Sequence, residues 1–309
     1  MPTTPIIPCI WIDGSTETIA NYYIETFANC GKGRIVASSE YPAGVDTPSG
    51  IPAGKPLAAS FEVAGQPFTL LNGGPMFRPN PSISFFVHCA DAAEVDHLHA
   101  ALIDGGFELM PLGSYPWSPR YAWVQDRYGV SWQLIAERHT QERHTQGDAT
   151  VVPCLMFAGP QHGRAEVAMA AYTGVFAGSH VQSIERYVGD EGPEGTVKHG
   201  RFILAGHEFI AMDSHIDHGL TFGEGLSLQV ICADQAELDR LWDALCEGGA
   251  PSRCGWLKDR FGLSWQLVPA PMPLWLGAPD PVVRTRVFTA MMAMNKLDFA
   301  ELQRAFSGV

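Results

Sequence analysis

Apolar positions along this chain change period in a fixed order, and the order repeats. Residues 6–12 are apolar almost throughout, as in a buried strand. Residues 15–27 then carry apolar side chains at helical spacing behind Ser15, a residue type that closes a helix N-terminus. Strand-like runs follow near 34–40, 57–64 and 68–72. The succession of strand, helix and three strands then returns. It runs through a strand at 82–89, a helix opened by Asp91 with Glu94 three residues on, and strands near 107–111, 121–125 and 131–135. Residues from 151 onward go through the same succession twice more, with helices near 163–176 and 236–247. The pattern predicts an α+β protein of four βαβββ units.

The letters repeat as well as the periods. Asp126-Arg127-Tyr128-Gly129-Val130-Ser131-Trp132-Gln133-Leu134-Ile135 recurs as Asp259-Arg260-Phe261-Gly262-Leu263-Ser264-Trp265-Gln266-Leu267-Val268. Pro8-Cys9 recurs as Pro153-Cys154, and Cys89-Ala90-Asp91 as Cys232-Ala233-Asp234. Two domains follow, 5–136 and 151–269, each long enough to bury a core of its own. The segment 137–150 between them holds Glu137-Arg138-His139-Thr140-Gln141, repeated at once as Glu142-Arg143-His144-Thr145-Gln146. With no apolar residue to pack, it reads as a polar linker. Residues 270–309 form a helical arm carrying Met291, Met292 and Met294.

A net charge of −13 without a basic run excludes nucleic acid and anionic membrane surfaces as partners, because no Lys/Arg stripe can displace counterions from phosphates. No stretch has the form of a signal peptide, and no apolar segment reaches the roughly 20 residues needed to span a bilayer. A cytoplasmic location is expected. The seven cysteines, an odd number with no C-x-x-C pair, argue for reduced thiols. Cys9, Cys154, Cys89 and Cys232 sit inside apolar strands and read as packing residues.

The paired βαβββ units, the Asp-x-Φ-Gly-Φ-Ser-Trp-Gln turn and the run Cys254-Gly255-Trp256-Leu257-Lys258-Asp259 are similar to the PhnB-like branch of the vicinal oxygen chelate superfamily. The arm from Asp280-Pro281 through Leu297-Asp298-Phe299 resembles that branch too. The superfamily includes glyoxalase I, bleomycin resistance proteins and extradiol dioxygenases, and this branch is often labelled 3-demethylubiquinone-9 3-methyltransferase-like. The resemblance implies tandem domains with cupped sheets. Single-domain relatives build their cavities across a dimer, so the tandem is expected to form a pseudo-dimer within one chain, with a true homodimer as the alternative.

Metal-dependent relatives place a His or Gln on the opening strand and a Glu on the closing strand. By spacing, those positions correspond here to Pro8 and Pro153 and to Gln133 and Gln266. Proline has no donor atom and a neutral amide is a weak ligand, so no metal and no cofactor is expected. The fallback cation cluster is Asp213, His215 and His218, with Asp217 in the same loop. The predicted ligand-binding residues are Trp11, Ser84, Trp123, Ser131, Gln133, Ser227, Gln229, Trp256, Lys258, Ser264 and Gln266. Strand alternation turns the Ser and Gln pairs inward and puts Trp132 and Trp265 beneath the helices.

The first function these residues predict is metal-independent binding or sequestration of a small, partly aromatic molecule. The alternative is a lyase, isomerase or cyclase using Lys258, Asp213 or His215 as acid or base, although no paired titratable constellation is readable. The methyltransferase label ranks below both, because Gly31-Lys32-Gly33 follows a helix and precedes a strand, the reverse of a nucleotide-binding turn. A pure interaction protein is the structural alternative.

Overall fold

The computed structural model describes residues 4–136 apart from 46 and 48, and 150–309 apart from 217. The double repeat Glu137–Gln146 and Asp217 lie outside the described residues. The first unit comprises β1 (Ile6–Ile12), α1 (Thr16–Thr26), β2 (Arg34–Glu40), β3 (Pro56–Val63) and β4 (Gln66–Asn72). The second comprises β5 (Ile83–Cys89), α2 (Ala92–Leu102), β6 (Phe107–Tyr115), β7 (Ser118–Gln125) and β8 (Ser131–Ala136). The third comprises β9 (Thr150–Phe157), α3 (Ala165–Val175), β10 (His180–Arg186), β11 (Val197–Leu204) and β12 (His207–Asp213). The fourth comprises β13 (Leu226–Cys232), α4 (Gln235–Cys246), β14 (Ala250–Pro251), β15 (Trp256–Lys258) and β16 (Ser264–Pro269). The arm follows as α5 (Met272–Leu276), α6 (Pro281–Ala293) and α7 (Phe299–Ser307).

Local chemistry sets these boundaries. Ser15 accepts from the Thr18 amide at the start of α1. Asp91 accepts from Glu94 while Glu94 reaches back to the Ala90 amide, a reciprocal cap that Asp234 and Glu237 repeat on α4. The β3–β4 and β11–β12 hairpins turn through Ala64-Gly65 and Ala205-Gly206, all four with positive φ, as tight hairpins with right-handed twist require.

The hydrogen-bonded sheets do not follow the halves of the sequence. One eight-stranded sheet runs β14-β15-β16-β13-β1-β4-β3-β2 and joins the first unit to the fourth; the other runs β10-β11-β12-β9-β5-β8-β7-β6 and joins the second to the third. Both junctions are antiparallel: β1 against β13, with Cys9 opposite Ser227, and β5 against β9, with Ser84 opposite Cys154. The buried core is continuous through both halves, but the aromatic packing beneath the helices follows the halves. In the first half, rings stack from Tyr23 to Phe61, Phe68 and Phe85 and on to Trp132, each within 6 Å of the next. In the second, Tyr172, Phe176, Phe261 and Trp265 pack in the same way. Each half therefore contributes a cored body, and each sheet is closed by the other half.

The repeated Asp-x-Φ-Gly-Φ-Ser-Trp motif holds these cores. Asp126 is buried and accepts four hydrogen bonds, from the Tyr128 and Val130 amides of its own turn, the Tyr23 hydroxyl on α1 and the Trp132 indole on β8. Asp259 accepts from Phe261, Leu263, Tyr172 and Trp265 in the same way. Gly129 and Gly262 sit at φ +86, where a Cβ would be strained. Trp132 and Trp265 lie beneath the helices, as alternation predicts.

Candidate functional site

Four central strands of the first sheet bring a row of neutral polar side chains onto its concave face. Cys9 on β1 lies level with Thr69 on β4 and Ser227 on β13, while Gln229 on β13 lies level with Gln266 on β16. Hydrogen bonds run through the row in one direction. The Thr69 hydroxyl donates to Gln229 Oε1 at 2.9 Å, Gln229 Nε2 to Gln266 Oε1 at 3.1 Å, and Gln266 Nε2 to Ser227 Oγ at 2.9 Å. Ser227 closes it with a long 3.5 Å contact to the Cys9 carbonyl.

A cavity of about 250 Å³ lies over this row. Thr69, Gln229 and Gln266 form its polar floor and Tyr41, Thr47 and Ser49 add hydroxyls, Trp11 and Trp256 face each other edge-on at 6.1 Å, and Leu276, Phe288, Met291 and Met292 of the arm line it as well. The Trp11 indole is fixed by donating to the Gly74 carbonyl at 2.7 Å and by close approach to Gly73, where a Cβ would meet the ring at 1.9 Å. Cys254 in the wall has φ +58, and its backbone is pinned by the arm: Cys254 N–H donates to Met294 and Gly255 N–H to Asn295. Among the described residues, those that line the cavity include no Asp, Glu, Lys, Arg or His. Burial pushes the Cys254 thiol up to about 11 and also raises the Tyr41 hydroxyl, which donates to the Asn72 carbonyl. Near neutral pH these described lining residues are uncharged.

Of the sequence-predicted residues, Trp11, Gln229, Trp256 and Gln266 line this cavity, and Ser227 supports it from beneath. Ser84, Trp123, Ser131 and Gln133 belong to the other sheet, where Tyr121 donates to Gln133, Gln133 to Ser84, and the Trp123 indole to Ser131. The two Ser-Gln pairs thus lie on two separate faces, because the units of one half go to different sheets. Ser264 is fully buried, and its Oγ has no hydrogen-bond partner among the described residues. Its counterpart Ser131 receives the Trp123 indole N–H; Trp256 instead presents its ring to Trp11.

Other expectations change with the geometry. On the opening strand the face turned toward the polar row carries Cys9 and the cavity-lining Trp11, not Pro8: Pro8 lies opposite the core residue Leu228, and Cys9 opposite Ser227. Likewise Cys154, not Pro153, lies level with Ser84. Lys258 is absent from the lining and pairs with Glu224 at 2.7 Å. Asp213 is buried and takes three backbone amides, from Gly163, Ala165 and Val197, so it caps the start of α3 and its two oxygens serve the backbone. His218 contacts Ser214, and His215 lies against the Tyr187 ring. Among the described residues no group of three or more His, Cys, Asp or Glu could hold a metal ion. Sequence reasoning missed Thr69, which only the parallel β1–β4 register places beside Cys9, and the contribution of the arm, whose Met291 and Met292 line the chain's own cavity.

Paired βαβββ units curling a shared sheet round a cavity, in two copies within one chain, define a tandem member of the vicinal oxygen chelate superfamily. Glyoxalase I from Zea mays shares the fold at a TM-score of 0.53 and 13% identity, over 88% of this chain and 94% of that one. The model of the 3-demethylubiquinone-9 3-methyltransferase family matches twice, over residues 4–135 and 149–268, and the chain belongs to that family. A PhnB protein from Bacillus cereus is 32% identical over 42% of this chain and 97% of that one, at a TM-score of 0.37. No curated protein matches the chain.

The superfamily's divalent cation does not fit this row. Burial drives the Cys9 thiol up to about 12, against the pull of its hydrogen bonds to Gln266 and Ser227, so it stays protonated. Thr69, Ser227 and Gln266 supply neutral oxygens already committed to one another, and no anionic ligand is present to offset the charge of a hard cation.

Proposed function

We propose that this protein binds a small, uncharged and partly aromatic molecule in the cavity of the first sheet, without a metal ion, in a binding or sequestration role in the cytoplasm. The observation that carries the reading is the wall itself: two indoles, apolar and thioether side chains, and neutral polar groups, the amides of Gln229 and Gln266 and the hydroxyls of Thr69, Tyr41, Thr47 and Ser49. Apolar walls repel a charged ligand, which would lose its hydration without gaining a counter-charge. A cavity of about 250 Å³, just below the usual range of about 300–1,000 Å³, suits a ligand of one or two rings. The family description names a methyltransferase, but a nucleotide-bearing donor asks for a ribose-binding carboxylate, and the described lining residues include none.

The test combines elemental analysis of protein purified without chelator with a fluorescence titration by naphthalene. The expected results are substoichiometric metal, and saturable quenching of tryptophan emission that is lost in Trp256→Ala. A stoichiometric divalent ion whose removal abolishes the response would overturn the proposal, as would the absence of any saturable response.

A further inference from the structure

The two concave faces of this molecule are copies, and one difference between them singles out a residue. Gln229 on β13 occupies the strand position that Phe86 holds on β5: Gln229 pairs with Gln266 as Phe86 pairs with Gln133. In the second sheet Phe86 is buried with Val152, Cys154, Ile210 and Tyr121, and the donor to Gln133 Oε1 is the Tyr121 hydroxyl at 2.6 Å. In the first sheet that donor is Gln229 Nε2, and Gln229 is only partly buried and lines the cavity. Exchanging a phenyl ring for an amide at this position both leaves space over the sheet and places a polar group at its edge.

The direction of the hydrogen-bond row decides what that group offers. Ser227 donates to the Cys9 carbonyl, so it accepts from Gln266 Nε2. Gln266 Oε1 therefore faces Gln229 Nε2, and Gln229 Oε1 faces Thr69. A primary amide carries two N–H donors. Gln266 Nε2 faces Ser227 with one and adjoins the Cys9 thiol, whereas Gln229 spends one on Gln266 and has no described acceptor for its other.

We propose that Gln229 is the specificity-determining residue of this cavity, and that its free amide N–H selects ligands carrying a neutral hydrogen-bond acceptor, a ketone, aldehyde or ester oxygen, on an apolar ring. The inference rests on the ligand-binding reading above and deepens it. Trp11 and Trp256 hold the ring while the acceptor oxygen meets Gln229. A hydrocarbon of the same shape leaves a desolvated N–H unpaired and binds less tightly.

The experiment compares 1-indanone with indane, which differ by one carbonyl oxygen, using calorimetry and tryptophan fluorescence on the full chain. Wild type is expected to favour indanone by about tenfold. Gln229→Met should remove that preference by weakening indanone alone. Gln229→Phe should abolish binding of both probes with the near-ultraviolet circular dichroism of the fold retained, because Phe86 shows that the strand accepts phenylalanine there. Equal binding of both probes to wild type, or a preference that survives in Gln229→Met, would overturn the assignment to Gln229 while leaving the cavity as a binding site. Failure of both probes to bind wild type would overturn the ligand-binding reading itself.

Discussion

Asp126 gives a prediction whose sign differs from that of most acidic side chains. Its carboxylate is 3% exposed, and burial pushes its pKa from 3.8 up to about 6 despite four hydrogen-bond donors at 2.8–3.0 Å. A raised carboxyl pKa means that the folded state holds the proton more tightly than the unfolded chain. The stabilising contribution is therefore fully present below the unfolded value near 3.8 and is lost as pH rises through about 6. A difference of about two units corresponds to about 3 kcal/mol. Urea denaturation at a series of pH values from 4 to 7, on wild type and Asp126→Asn, isolates the effect. Asparagine keeps the acceptor for Tyr128 and Val130 but turns an amide toward the Trp132 indole, a cost of about 1–3 kcal/mol that does not vary with pH. Asp259 is shifted in the same direction, is present in both proteins and cancels. The wild-type advantage should shrink by about 2.4 kcal/mol between pH 4 and 7, most of it below pH 6, with the rest of the roughly 3 kcal/mol lying below pH 4. A constant difference, or a wild type that gains on the variant as pH rises, would refute the account of a carboxylate destabilised by burial.

Gly73→Ala should push the Trp11 indole off its bond to Gly74, because the new Cβ would stand 1.9 Å from the ring. A stability loss of about 1–3 kcal/mol is expected, with the near-ultraviolet dichroism of the Trp11–Trp256 pair altered; an unchanged spectrum would contradict the tight fit. Asp213→Ala strips the acceptor from three backbone amides and should cost about 3 kcal/mol or more by denaturation while naphthalene affinity in the cavity stays unchanged; a metal-dependent phenotype would contradict its capping role.

Much of this architecture is written in local pattern, and the parts that are not share a cause. The caps at Ser15, Asp91 and Asp234, the four βαβββ units and the inward turn of Trp132 and Trp265 follow from neighbours within a few residues, which is why periodicity reaches them. Which unit closes which sheet depends on pairings such as Cys9 with Ser227, which no local signal encodes. The exchange of Cys9 for Pro8 is a register matter: in a strand one step along the chain moves every side chain to the other face, and spacing to the next helix is not accurate to one residue. Lys258 looked available because its partner Glu224 lies on a loop far from it in sequence, and Asp213 looked reactive because its acceptors and donors meet only once α3 and β11 are in place.

The division of labour between cores and sheets orders the assembly of the molecule in time. Contacts such as Tyr23 to Asp126 and Tyr172 to Asp259 lie within one half, so each half can collapse on its own during synthesis. The β1–β13 seam cannot zip until the second half has emerged, and it closes a far longer loop than any contact within a half. The cavity does not exist before that last step, since its floor is drawn from both sides of the seam. A ligand held there bridges the seam, so occupancy and the joining of the halves are one equilibrium, and by mass action each should favour the other.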